Sequence, residues 1–414
     1  MGDNNLAALA WRNIWRNRRR TIITLFGISF GVFLAVLMTG IGDYTYTSMI
    51  NQSARLGAGH VVVQHPDYQE LPTLKKTVAK AAEVEAAAAG DAKITKTVSR
   101  IAGAALVATA SASQGAMFMA IDPTREDDGT LAFLDDITEG EMLTAPKGKG
   151  VVIGSKLAET LGLRLGKKMV YTVTDRSGEI VSGLARVTGI VTTGSPSIDG
   201  GLCLLPIDTV RELLGYDDGE ATQVAVFVAD HRDAPEVAAS IAAGLGDGAV
   251  VLTWDQASPE LAGFIEMKEV GAIVMEIIIM ILLAAGIFNT LFVSVMERMR
   301  EFGIMSALGF SAGALFGLVM WESLWLALVG LVAAAAVTAF PYYHFNTVGI
   351  DYSKMIGEGA EVVGIAVEPI MYVDIFFEHA VAIAAAVVVS TLASGLYPAW
   401  RAGRTNPADV IRLQ

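Results

Sequence analysis

Four stretches of this sequence are almost free of polar positions, and a long segment of alternating apolar and polar residues separates the first from the second. A bilayer-crossing helix needs about 20 mostly apolar residues. Residues 21–42 (TIITLFGISFGVFLAVLMTGIG) carry no charge, residues 271–296 one acid (Glu276), and residues 312–340 one acid (Glu322). Residues 375–400 open with Glu378 and His379 and are then uncharged. Glu276 does not abolish the second span. Between Ile277 and Val293 stand 11 Leu, Ile, Phe or Val residues, together worth about −3 to −7 kcal/mol against about +3 kcal/mol for a central acid.

The segment 43–270 reads as an α+β domain. Strand-type runs rich in β-branched residues are His60–His65, Gly115–Ile121, Lys168–Thr174, Ala185–Val191 and Gln223–Ala229. Helix-type runs are Val78–Ala89, Ser155–Gly162, Pro206–Gly215 and Ala234–Leu245, with Ser155 and Asp208 as caps. The polar stretch Asp122–Gly150 reads as an exposed connection between two subdomains. The expected fold is therefore membrane α-helical, with four transmembrane helices and a two-subdomain α+β extracytoplasmic domain inserted between the first and second.

Composition agrees with a membrane protein. Only 18% of residues are charged, against about 25% in soluble domains, and the mean hydropathy is +0.50. The net charge of −13 disfavours nucleic acid as a partner. The single cysteine, Cys203, excludes an internal disulfide, a thiolate cage and a CxxC redox pair.

Charge placement sets the orientation. Arg12, Arg16, Arg18, Arg19 and Arg20 precede the first span, Arg298 and Arg300 lie between the second and third, and Arg401, Arg404 and Arg412 follow the fourth. The loop between spans three and four has Lys354 against Asp351, Glu358, Glu361, Glu368 and Asp374. The positive-inside rule puts both termini and the second-to-third loop in the cytoplasm. Segment 43–270, with 19 basic and 31 acidic residues, is then outside. The first span is too long for a signal peptide and lacks an A-x-A site, so it reads as a retained anchor.

Catalytic chemistry is sparse. His60 and His65 are five apart on a strand and face opposite sides, so they do not chelate one ion. Ser195 and Ser197 in GSPSID do not form a G-x-S-x-G elbow. Neither Gly162–Lys168 nor Gly148–Gly150 has phosphate-loop spacing. No catalytic or metal site is expected, and any ATPase would be a separate subunit.

The informative run is Ala284–Ser311. A span passes directly into a short amphipathic stretch, in which Glu297, Arg298, Arg300 and Glu301 alternate charge while Phe302, Ile304, Met305 and Leu308 supply an apolar stripe. This is either an interfacial helix or a coupling helix that plugs into a cytoplasmic partner. Glu297–Gly309 (ERMREFGIMSALG) resembles the E-R-x-R-E-x-G-I-x-x-A-L-G pattern of the MacB/FtsX/LolC-LolE class of ABC-transporter permeases. Ala10–Thr21 resembles the basic helix leading into the membrane in that class, and Gly57–Tyr68 the first ectodomain strand of LolE-like members. Val151–Val170 resembles their I-G-x-x-L-A-x-x-L-G-L-x-x-G-D segment, with Lys167 in place of the acid. Glu322–Gly330 is similar to the third-span pattern and Tyr397–Arg412 to the family's ending.

The resemblance implies a half-transporter of the LolC/LolE type, a non-enzymatic permease in the bacterial inner membrane. A second permease chain, identical or a sister, and a cytoplasmic ABC ATPase that binds ATP and Mg would be its partners, with no cofactor in this chain itself. ATP-driven mechanotransmission would extract lipoproteins or lipid-anchored substrates for a periplasmic carrier or adaptor. The implied order is a cytoplasmic amphipathic helix (1–20), span one (21–42), a MacB-like periplasmic domain (43–270) and span two (271–296). A coupling helix (297–311), span three (312–340), a periplasmic loop (341–374), span four (375–400) and a cytoplasmic tail (401–414) follow. ATPase coupling would fall to Glu297, Arg298, Arg300, Glu301, Phe302, Gly303, Ile304, Leu308 and Gly309.

Removing an acylated protein from a bilayer costs about 0.8 kcal/mol per buried CH₂, so an apolar cavity is expected. Phe30, Phe33, Leu37 and Ile41 of span one with Ile273, Ile277 and Met280 of span two are its candidates. Glu276 either snorkels to the headgroups or faces that cavity. Glu322, deeper, is expected to pair inside the bundle, and Asn289 is a further intramembrane polar residue. Gly27 and Gly31 have small-residue spacing for close helix approach. Two other readings remain: a drug, peptide or toxin exporter working with an outer-membrane channel, and an FtsX-like regulator of a periplasmic cell-wall hydrolase.

Overall fold

In chain order the elements of the computed structural model begin with α1 (Asp3–Ile14), a short turn, α2 (Arg18–Ser53), β1 (Val61–Gln64), α3 (Ala81–Ala88), β2 (Ile94–Ala108), β3 (Ser113–Ile121) and β4 (Ile137–Gly140). Next come β5 (Gly150–Gly154), α4 (Ser155–Leu161), β6 (Lys168–Thr174), β7 (Ile180–Val191), α5 (Pro196–Gly201), β8 (Leu202–Pro206), α6 (Ile207–Leu214), β9 (Gln223–Val228) and α7 (Ala234–Gly244). The rest are β10 (Val250–Thr253), α8 (Trp254–Ala257), α9 (Pro259–Glu297), α10 (Met299–Ala307), α11 (Ala312–Thr347), four two-residue strands β11–β14 between residues 350 and 371, and α12 (Phe377–Gly403). The structure describes residues 3–404 except 89, 246–247, 355–359 and 363. Glu358, Arg412 and most of the 401–414 tail therefore lie outside the described residues.

The chain divides into two compact units. One comprises residues up to Thr45, Glu266–Asp351 and from Ile370 on; the other comprises Tyr46–Ile265 and Tyr352–Pro369. In the helical unit, α2, α9, α11 and α12 contain the four stretches long and apolar enough to cross a membrane. α2 and α9 run well past the apolar spans read from sequence: the start of α9 is rich in the good helix formers Glu, Ala, Leu, Met and Lys, and residues 43–53 of α2, weaker formers, contain no Gly or Pro to break the helix. Ile28 and Val32 of α2, Ile287 and Leu291 of α9, Leu326 of α11 and Val387 of α12 form its central core. α11 and α12 pack tightest, and Gly395 makes this possible: a Cβ there would lie 2.3 Å from Ser323 Oγ.

The α/β unit is organised by one long strand. The first half of β2 pairs with β9, β9 with β1, and β1 with β10. Its second half pairs with β3 and β6, so pairing closes a circuit β2–β3–β8–β5–β7–β6–β2. The two subdomains are thus halves of a continuous sheet sharing β2, and their faces bury one apolar core around Ile101, Phe118, Ile153, Val187 and Val226. Gly59, at φ +75°, lets the chain turn into β1 against Val226, whose backbone a Cβ would meet at 2.8 Å.

Two sequence expectations are corrected here. Asp122–Gly150 is not simply an exposed connection: it supplies β4 and buries Leu131, Phe133 and Leu143. A buried Arg100 fastens its start, donating to Glu126 (2.8 and 2.9 Å), to the Thr130 carbonyl (2.7 Å) and to the Gly57 carbonyl (2.7 Å). Ser155 and Asp208 are not caps. Gly154 and Pro206 hold the cap positions of α4 and α6, and neither makes a side-chain cap bond.

Candidate functional site

The break between α9 and α10 falls at Arg298, and a chain of polar contacts converges on it. Arg298 Nη1 donates to both carboxylate oxygens of Glu322 on α11, at 2.9 and 3.2 Å. Its Nε donates to Glu301 at 3.3 Å, and its guanidinium lies 5.3 Å above the Phe302 ring. Asn13 of α1 donates to Glu322 Oε1 at 2.8 Å. Arg16 reaches Glu301 at 2.7 Å, and Arg20 reaches Glu297 at 2.5 Å. Trp325 of α11 adds a bond to the Ala7 carbonyl (3.1 Å) and an edge contact with Trp11. Burial makes this cluster matter: Glu322 is 8% and Arg298 15% exposed in their side chains, so each charge depends on its partner. α1, α10 and the start of α11 are thereby bound into one corner of the helical unit.

The helical period divides the predicted coupling residues into two faces. Phe302 and Gly303 point inward, into a core with Ala10, Val295, Leu315, Leu318, Val319, Ala399 and Ala402. Ile304 (55% exposed), Leu308 (76% exposed), Arg300, Glu297 and Gly309 point outward. Gly309, at φ +95°, ends the segment, and the Ser311 hydroxyl caps α11 by accepting from Ala314 N–H. The apolar stripe read from sequence is thus half anchor and half exposed surface.

The cavity candidates that line a groove of this chain fall on two of them. Phe30 lines one of 420 Å³ between α2 and α9, opposite Ile279, Leu282 and Leu283. Ile273, Glu276, Ile277 and Met280 line a second, of 680 Å³, between α9 and α12. Phe33, Leu37 and Ile41, half-buried, line neither. The cause is helical geometry: residues 273, 276, 277 and 280 form one stripe of α9, and residues 279, 282, 283 and 286 another. Gly31 meets Leu283, whereas nothing lies within 4 Å of a Cβ on Gly27, so this pair does not form a close helix crossing. Asn289 is exposed on α9.

Sequence reasoning missed two sets of contacts, one at the start of span four and one made by the loop before it. In the helical unit, buried Asp43 accepts from Phe376 N–H (3.0 Å) and lies 2.9 Å from His379 Nδ1. In the α/β unit, Glu361 accepts from Ser195 and Ser197, Glu368 accepts from Ser48 (3.0 Å) and Gln52 (2.8 Å), and Ile365 is buried with Ile50, Leu261 and Ile265. Ser195 also caps α5, so these serines are structural. The acidic loop composition signalled surface polarity but could not name distant partners.

Other candidate chemistry is accounted for by packing. His60 accepts from Val228 N–H through Nδ1 (3.3 Å) and donates through Nε2 to Asn51 Oδ1 (2.9 Å), while His65 Nδ1 accepts from Asp67 N–H at the surface. Burial pushes the Cys203 thiol up to about 12, which leaves it unreactive. Among the described residues no cluster of His, Cys, Asp or Glu suits a metal ion.

Comparison with known proteins matches residues 21–243 to the MacB-like periplasmic core domain and residues 273–407 to the FtsX-like permease C-terminal domain. The chain is 23% identical over 411 residues to the lipoprotein-releasing system transmembrane protein LolC of Neisseria meningitidis, covering 95% of this chain and 94% of that one. A LolC of Xylella fastidiosa is 23% identical over 76% of this chain and 78% of that one. The macrolide export ATP-binding/permease protein MacB of Nitrobacter winogradskyi is 25% identical over 95% of this chain but only 58% of its own length. The periplasmic region of MacB from Actinobacillus actinomycetemcomitans aligns with a TM-score of 0.36 at 13% identity, over 48% of this chain and 91% of that one. With more than half of its length matched by the first of these models, followed by the second in the order that the spans require, the chain belongs to the MacB/FtsX family of ABC-transporter permeases, and within it is LolC-like.

Proposed function

We propose that this chain is the permease subunit of an ATP-driven mechanotransmission transporter that draws lipoproteins or other lipid-anchored substrates out of the inner membrane for a periplasmic carrier. Both termini and α10 face the cytoplasm, in keeping with the arginines flanking the spans, and the α/β unit is periplasmic. A separate ABC ATPase docks on the outward face of α10, through Ile304, Leu308 and Arg300. A second permease chain, identical or a sister, completes the pore-free assembly.

The observation that carries this reading is the Arg298–Glu322 corner. An exposed apolar pair, Ile304 on a nine-residue helix and Leu308 at its C-terminal cap, lies on a segment whose other face is fixed by buried charge and packed rings to α1 and α11. A push on Ile304 and Leu308 therefore moves the start of α11 rather than bending a loose loop. The LolC relatives, aligned over three quarters or more of their length, favour a lipid-anchored substrate. The MacB relative keeps export of a soluble compound as the second reading.

Affinity purification of the chain from its own membranes, followed by identification of bound subunits, tests the proposal. An ABC ATPase that is lost from Leu308→Asp but retained by the wild type is expected. Copurification of a cell-wall hydrolase activator in place of any lipoprotein carrier would overturn the substrate assignment.

A further inference from the structure

We propose that the groove between α9 and α12 binds one membrane phospholipid with a primary ammonium headgroup, held by Glu276. The inference is independent of the transported substrate.

The groove has a volume of about 680 Å³, is open along one side and is mostly apolar, with Ile273 and Met280 on α9, Val389 on α12 and Phe288 towards the other end. Glu276 is its one charged lining residue. Ser390 and Ser394 also line it, and Ser394 Oγ donates to the Ser390 carbonyl within α12 (2.7 Å) and towards the Ala284 carbonyl (3.0 Å). Among the described residues no basic side chain pairs with Glu276. A carboxylate near the bilayer interior is unfavourable unless it is compensated. At 1.5 Å per residue, Glu276 lies about 8 Å inside the start of the apolar run at Gly271. From Ile273 to Phe288 the groove extends about 22 Å, most of the roughly 30 Å hydrocarbon thickness.

These features specify the occupant. A single negative charge near one end of a long apolar groove complements a two-part amphiphile whose hydrocarbon chains lie along the groove and whose zwitterionic head ends in a cation. The groove lies within the apolar stretches of α9 and α12, and in the bilayer that such helices cross phospholipid is the abundant amphiphile. A primary ammonium offers N–H donors that form short charge-assisted bonds to a carboxylate, which a quaternary choline head lacks. A glycerol-headed anionic lipid brings like charge to Glu276 and is disfavoured.

Native mass spectrometry of the full-length protein in detergent, titrated with ethanolamine-, choline- and glycerol-headed phospholipids of identical acyl chains, tests this. Wild type is expected to retain the ethanolamine lipid at least fivefold over the other two. Glu276→Gln should lose that preference, Glu276→Lys should shift it to the glycerol-headed lipid, and Ala393→Trp should reduce all three by filling the channel. Each variant is first checked for monodisperse elution and unchanged ATPase copurification. Equal retention of the three lipids by wild type, or unchanged preference in both Glu276 variants, overturns the proposal. So does efficient cross-linking of Val389→Cys between two copies in the membrane, since a second chain would then cover the groove; buried Cys203 does not compete in that reaction.

Discussion

Arg298, in the single-residue break between α9 and α10, donates two hydrogen bonds to the carboxylate of Glu322, 24 positions later on α11. The pair is buried, and Asn13 and Glu301 complete its hydrogen bonding. Removing one member strands the other, at a typical cost of 3–5 kcal/mol. Arg298→Ala and Glu322→Ala should each lower the thermal unfolding midpoint of the detergent-solubilised protein by several degrees. Arg298→Met with Glu322→Met should be milder than either, because an apolar pair leaves no orphan charge. A double variant no better than the worse single one would show that the pair is not an isolated unit.

Ile304 and Leu308 test the other face of the same helix. Both are exposed, so Ile304→Ser and Leu308→Ser should change stability by no more than about 0.5 kcal/mol. They should nevertheless weaken ATPase copurification at least tenfold. Retention equal to wild type would remove α10 from the docking surface.

Acidification should loosen the α/β unit through His60. Burial lowers its pKa to about 4, reinforced by nearby His231 and opposed by Asp230. The unfolded chain, near 6.5, binds the proton first, so this contribution is fully present above about pH 6.5 and is lost as pH falls towards 4. The full effect is on the order of 3 kcal/mol. Protonation at Nδ1 would also displace the Val228 N–H bond. Urea unfolding of the full chain at pH 7 and pH 5 measures the loss, and His60→Gln should flatten the dependence.

A steric prediction concerns the α11–α12 contact. Gly395→Ala places a methyl against Ser323 Oγ, and overpacking of this kind costs about 1–3 kcal/mol. Adding Ser323→Gly should restore much of the loss. Thermal unfolding of the three variants gives the comparison, and additive losses would refute steric coupling.

The four apolar helices were legible because bilayer thickness imposes a length and composition that few other constraints mimic. Lys168–Thr174 and Gln223–Val228 were equally plain, since β-branched runs bounded by turn residues leave little choice. The double pairing of β2 was not. Ile94–Ala108 mixes Lys96, Arg100 and a string of alanines, and its strand character comes from three different neighbours. Expected caps at Ser155 and Asp208 failed because a preceding extended residue satisfied the geometry without a side chain. Nor was it legible which stripe of α9 each cavity candidate occupies. Glu322 was recognised as needing a partner, but a charge 24 residues away carries no local signature.

Closure of the β2–β3–β8–β5–β7–β6 circuit has a consequence for recognition. Among the described strands of this sheet, only β4 and β10 end a row of pairings, and each is four residues long. An extended peptide seeking to lengthen the sheet would find little ladder to join. Whatever docks on this unit must therefore read side chains and shape, and its affinity will be tunable by surface substitution without reworking the backbone.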